Sequence, residues 1–187
     1  IGDADGDGRN EMVVSGYNFA QVLLFRNQAG SYVSSVIGAL PETSSPASAV
    51  PSIGDAMGLG TPQVYLGTHQ SGNIYAFRWG GATWVRSTVQ EGTGYNAEPY
   101  VADVDNNGAN ELLVFKFGGA WGLSVYQHSA GAWSSTVIES ADRGGVARVA
   151  DIDGDGAKEI VAATGRTVYD YSYTGGSWIR STLIPDV

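Results

Sequence analysis

Apolar residues in this chain come in short runs, broken at close intervals by Gly, Ser, Asn or Asp. Pro99-Tyr-Val-Ala102, Leu112-Leu-Val-Phe115 and Trp133-Ser-Ser-Thr-Val-Ile138 are rich in β-branched and aromatic residues. Asn73-Ile-Tyr-Ala-Phe77 and Leu123-Ser-Val-Tyr-Gln127 alternate. Short alternating runs bounded by turn residues predict strands. No apolar run approaches the roughly 20 residues that span a bilayer as a helix.

The runs recur. Asp3, Asp55, Asp103 and Asp151 open four similar loops, at intervals of 52, 48 and 48 residues. A period near fifty signals a repeat array. In each repeat one run leads into the loop, one leaves it, a third alternates and a fourth follows an aromatic residue. A second spacing keeps the same register. Phe25 precedes Tyr32 by seven residues, and Phe77–Trp84, Tyr126–Trp133 and Tyr171–Trp178 repeat the interval. Each pair brackets a Gly-containing turn, which predicts a hairpin between the third and fourth strands. Aromatics recurring in this way are read as packing against the neighbouring repeat rather than as sugar platforms.

Four strands in every fifty residues predict an all-β fold, a β-propeller of four-stranded blades. The repeats run approximately 1–47, 48–97, 98–145 and 146–187 of one domain. A blade has two faces to bury, so blades stack and close a ring. The first repeat has only Ile1-Gly2 before its loop, and nothing after Ile184-Pro-Asp-Val187 supplies the missing strand. The expectation is part or half of a larger ring, completed by a parent chain or a second copy. Pro41-Glu-Thr-Ser-Ser-Pro-Ala-Ser-Ala49 is the longest insertion and accounts for the longer first interval. The chain starts without Met or a signal peptide, as a mature or excised piece would.

The loops carry the chemistry. Asp151-Ile-Asp-Gly-Asp-Gly-Ala-Lys-Glu159 has acids at its first, third, fifth and ninth places and Gly156 at the sixth. Asp3-Ala-Asp-Gly-Asp-Gly-Arg-Asn-Glu11 and Asp103-Val-Asp-Asn-Asn-Gly-Ala-Asn-Glu111 follow the same plan. Calcium takes six to eight oxygens, mostly carboxylate and carbonyl, and a glycine at the sixth place permits the sharp turn. The ninth-place acid, with strand-like runs on both sides, departs from an EF-hand. In the second loop Met57 and Leu59 replace ligands and Gln63 replaces the closing acid. That loop is expected to bind no calcium, leaving about three sites.

Net charge is −9 over 187 residues. Eleven of the 19 acidic residues sit in the three intact loops, and three Ca²⁺ would bring the charge to about −3. The acidity argues against a nucleic-acid partner, whose phosphates need a basic face. With no cysteine, disulfides, thiolate catalysis and cysteine-ligated zinc are excluded. Weak calcium loops suit the millimolar calcium outside cells, so an extracellular, secreted or cell-surface setting is expected.

These loops, set between the first two strands of fifty-residue repeats, resemble FG-GAP or VCBS repeats, found in integrin α-subunit propellers and many secreted proteins. The resemblance covers essentially the whole chain and is weakest in the second repeat. It implies side-chain ligands Asp3, Asp5, Asp7 and Glu11, then Asp103, Asp105, Asn107 and Glu111, then Asp151, Asp153, Asp155 and Glu159. It implies backbone carbonyls from Arg9, Ala109 and Ala157. It also implies a seven- or eight-bladed ring and extracellular recognition or adhesion.

On the face opposite these loops the pattern gathers Tyr17, Asn18, Phe19, His69, Gln70, Tyr95, Asn96, Phe117, Trp121, Arg143 and Arg166, a mixture suited to a glycan or protein ligand. An alternative is part of a polysaccharide lyase or hydrolase. Outside the intact loops the acids are few and scattered, and His69 and His128 occupy different places in their repeats. No nucleophile, phosphate or cofactor motif appears, so the reading leans away from catalysis. A structural or filament-forming surface domain is the third class.

Overall fold

A computed structural model of the chain describes residues 1–16, 19–41, 50–69, 71–92, 96–116, 122–140 and 145–186. Among them all helical and sheet structure is β, in four antiparallel sheets that follow one another along the chain. The first holds β1 (Met12–Gly16), β2 (Phe19–Gln28) and β3 (Ser31–Ala39). The second holds β4 (Ser52–Gly54), β5 (Gln63–Gly67), β6 (Ile74–Trp79) and β7 (Trp84–Gln90). The third holds β8 (Ala97–Ala102), β9 (Glu111–Lys116), β10 (Gly122–Ser129) and β11 (Ala132–Glu139). The fourth holds β12 (Gly145–Ala150), β13 (Glu159–Thr164), β14 (Thr167–Thr174) and β15 (Ser177–Ile184). In every sheet sequential strands are neighbours. Among the described residues the first sheet has three strands, with a single bridge from Gly2 to Glu11 ahead of β1. Among the described residues no helix is long and apolar enough to cross a membrane, which says nothing of a β-barrel.

Successive sheets are joined face to face by three apolar clusters. The first joins Val13, Val22 and Leu24 to Val64, Leu66, Tyr75 and Phe77. The second joins Tyr65, Ile74 and Ala76 to Leu112, Val114 and Tyr126. The third joins Leu113, Phe115, Leu123 and Val125 to Ile160, Ala162 and Tyr171. Strand alternation explains the division, since Val64 and Tyr65 point to opposite faces of one strand. The aromatic spacing seen in the sequence lands as expected, with Phe77, Tyr126 and Tyr171 buried against the preceding sheet. The inner two sheets are covered on both faces, so β5 is buried throughout. Strand β15 is exposed along nearly its whole length.

At one junction the backbones approach unusually closely. A Cβ on Gly67 would lie 1.7 Å from the Ala97 carbonyl oxygen. Only glycine fits there, and any larger residue would push β5 and β8 apart.

Candidate functional site

Each acidic loop links the first and second strands of its sheet, or in the first sheet follows the Gly2 bridge. The path is set by local hydrogen bonds. The first aspartate accepts the N–H of the sixth residue in all four loops: Gly8 to Asp3 at 2.9 Å, Gly60 to Asp55 at 2.6 Å, Gly108 to Asp103 at 3.1 Å and Gly156 to Asp151 at 3.0 Å. These sixth-place glycines have positive φ, as do Gly6, Gly58, Asn106 and Gly154 at the fourth place. Asparagine tolerates that region better than other side chains. Asn106 also uses its amide on the next loop, accepting from Lys158 N at 2.7 Å and donating to Lys158 O at 3.1 Å.

In the three intact loops the first, third and ninth residues converge. Carboxylate oxygens of Asp3, Asp5 and Glu11 lie within 4.8 Å of one another, as do those of Asp103, Asp105 and Glu111 and those of Asp151, Asp153 and Glu159. Oxygens around one Ca²⁺, at 2.3–2.6 Å from it, stand no more than about 5 Å apart. The donors are all hard oxygens, so the residues present fit that ion. The glutamates are buried, and each accepts the N–H of the loop's second residue: Ala4 at 2.9 Å, Val104 at 3.0 Å and Ile152 at 3.0 Å. Burial pushes the Glu11 and Glu111 carboxyls up, against that backbone N–H and with help from the nearby aspartates. The fifth residue acts differently. Asp7, Asn107 and Asp155 accept the N–H of Arg9, Ala109 and Ala157, at 2.9, 2.7 and 2.7 Å.

The second loop closes on itself. The Gln63 side chain is fully buried. Its Nε2 donates to Asp55 Oδ1 at 3.3 Å and to the Thr61 carbonyl, while its Oε1 accepts Tyr65 O–H at 2.7 Å and Met57 N–H at 3.3 Å. A neutral amide thus stands against the aspartate where the sister loops gather carboxylates.

Between successive sheets, at the hairpin end of the last two strands, lies a groove that recurs. Between the first and second sheets it measures about 580 Å³ and is bordered by Arg26, Gly38, Trp79 and Trp84. Trp79 and Trp84 are cross-strand partners with ring centroids 5.6 Å apart. Between the third and fourth sheets it measures about 120 Å³ and is bordered by Asp105, Gln127, Tyr173 and Trp178. Tyr173 and Trp178 pair in the same register at 5.0 Å. A polar pair recurs beside these aromatics, Arg26 with Asp5 and Gln127 with Asp105, the latter at 3.0 Å. The middle junction differs. His128 and Trp133 are the cross-strand pair there, 5.0 Å apart. His128 Nδ1 lies 3.1 Å from the carbonyl of Met57, the residue that replaces the aspartate. A cleft of about 560 Å³ beside it runs between Asp55 and Asn110.

The sequence pattern pointed to a ligand face elsewhere. Tyr17, Asn18, Gln70, Tyr95, Phe117, Trp121 and Arg143 lie outside the described residues, and so does the Phe19 side chain. His69 and Asn96 come together, with Asn96 N–H donating to His69 O at 2.6 Å. Arg166 stands in the turn after β13 and pairs with Asp186 at 4.0 Å. The grooves were not anticipated. Their signal was Trp79, His128 and Tyr173, each two residues beyond a spaced aromatic and on the same side of its strand.

No family model and no curated protein matches this chain. Among solved structures it is similar to an Agrocybe aegerita lectin described for specific recognition of non-reducing terminal N-acetylglucosamine, with a TM-score of 0.64 and 18% identity. The match covers 99% of this chain and 51% of that one. The chain therefore spans about half the length of that lectin, and the likeness is one of fold.

Proposed function

We propose that the chain is a carbohydrate-recognition module, built as a segment of a β-propeller and taking its ligand in the grooves between sheets. The observation that carries this reading is the aromatic pair repeated at all three junctions. The apolar face of a sugar stacks on such rings, and its hydroxyls suit the neighbouring amide, guanidinium and carboxylate groups. The similar lectin supports the ligand class. Calcium in the first, third and fourth loops belongs to the same reading, as does kinship with FG-GAP or VCBS repeats. There the ion would cancel the repulsion among clustered carboxylates and fix the first hairpin of each blade. An extracellular setting follows from the calcium that such exposed loops require.

The test is calorimetric titration with N-acetylglucosamine, followed by a panel of other neutral sugars. Trp84→Ala should remove one binding event, and Trp84→Ala with Trp178→Ala a second, while the remaining groove keeps its affinity. Both tryptophans also pack on the cores, so thermal melts accompany the titrations. No heat from any sugar, or an unchanged stoichiometry in the folded variants, would end this assignment.

A further inference from the structure

The leading strands β4, β8 and β12 border a separate cavity of about 320 Å³. The fifth and third residues before each loop aspartate share a face of these strands by alternation. They are Val50 and Ser52 on β4's side, Glu98 and Tyr100 on β8, and Val146 and Arg148 on β12. A carboxylate therefore stands in a row otherwise made of valine, and a guanidinium in the row of Ser52 and Tyr100. Both charges border the cavity.

These two charges form no ion pair with each other. Arg148 Nη1 donates to its own strand at Ala147 O, 2.7 Å away, and its guanidinium lies over the Tyr100 ring at 5.7 Å. Its remaining N–H groups are open to a ligand, since Arg148 is exposed. Glu98 is half-buried, and among the described residues no hydrogen bond is made to its carboxylate. Burial pushes that carboxyl up, and the charge of Arg148 pulls it back only in part. The wall is mixed, with Ile53, Pro99, Leu113 and Phe115 supplying its apolar part.

We propose that this cavity binds a small zwitterion with an apolar body, an α-amino acid or its chemical equivalent, with its ammonium at Glu98 and its carboxylate at Arg148. A simple cation would be drawn to Glu98 and repelled by Arg148, and a simple anion the reverse. A neutral ligand would leave a partly desolvated carboxylate without a partner. The volume is at the lower end for small-molecule sites.

The experiment is a ¹H–¹⁵N titration of the whole chain with L-norleucine, n-pentylamine and hexanoate, which share one hydrocarbon body and differ in charge. Norleucine should give saturable shifts centred on β8 and β12, with at least about tenfold higher affinity than either analogue. Glu98→Gln should erase its advantage over hexanoate, and Arg148→Gln its advantage over pentylamine. Equal affinity for the three compounds, or no saturable shift with norleucine, overturns the proposal. That comparison uses the unaltered chain, so misfolding of a variant cannot hide the answer. Trp84→Ala should leave norleucine binding unchanged, which separates this site from the grooves.

Discussion

Glu11, Glu111 and Glu159 each stand at the ninth place of a loop with two aspartates close by. Gln63 stands at the same place in the second loop with one aspartate, a methionine and a leucine. All four loops nevertheless keep the bond from the sixth N–H to the first aspartate and the positive φ at the fourth and sixth places. The path of the loop and its accumulation of negative charge are therefore separable. The first aspartate and two permissive residues draw the path. The third and ninth residues decide whether negative charge accumulates. In the second loop that charge is reduced to Asp55, which accepts from two backbone N–H groups and the Gln63 amide. Tyr65 completes the arrangement by donating to Gln63, at a place where Val13, Leu113 and Val161 stand in the other repeats.

The largest expected effect comes from calcium itself. At a hundredfold excess over Kd, each occupied loop adds ~2.7 kcal/mol of stability. For a domain of this size that is about 5–10 °C in Tm per loop. Calorimetric melts in calcium and in EGTA should therefore differ by well over 10 °C. Identical melts would remove calcium from the three intact loops and, with it, the contrast with the second.

The next effect separates the two kinds of loop. Gln63→Ala strands the Tyr65 hydroxyl and the Met57 N–H, at about 1–3 kcal/mol for each buried group left unpaired. The loss should be the same in calcium and in EGTA. Glu159→Gln, which keeps an oxygen to accept the Ile152 N–H, should lower Tm in calcium and leave the chelated melt nearly unchanged. If Gln63→Ala were costly only in calcium, the second loop would be a metal loop after all.

Much of this architecture could be read from the chain because turn residues punctuate it and alternation is strict. Asn73–Phe77 and Leu123–Gln127 alternate and fall within or beside β6 and β10. The fifty-residue period separated the four sheets. The absence of acids at Met57, Leu59 and Gln63 of the second loop was equally plain. What replaced them was not, because Gln63 reads as a lost ligand until its amide is seen turned back on Asp55. The grooves were hidden for a related reason. Trp79 and Trp84 become neighbours only through the β6–β7 register, and their sharing a groove with Arg26 depends on how two sheets stack. The same holds for Glu98 and Arg148, fifty residues apart in the chain and brought to the border of one cavity by the fold.

The smallest effect concerns protons. Glu11 and Glu111 have carboxyls held above their ordinary value, chiefly by burial. A carboxyl whose pKa is higher folded than unfolded holds its proton more tightly in the fold. Its contribution is fully present below the unfolded value of about 4.3 and is lost as pH rises through the raised one. In EGTA, then, these two glutamates should make the chain less stable as pH climbs from mildly acidic toward neutral. Gln63 has no proton to exchange and adds nothing to that slope. Urea midpoints measured in EGTA across this window should fall less steeply for Glu11→Gln than for the unaltered chain. In calcium the sign should reverse, because the ion needs ionised carboxylates and binds more tightly as they lose their protons. A slope in EGTA that Glu11→Gln leaves untouched would mean the buried ninth-place glutamate is no more costly to ionise than an exposed one. The distinction between the first and second loops would then rest on hydrogen bonding alone.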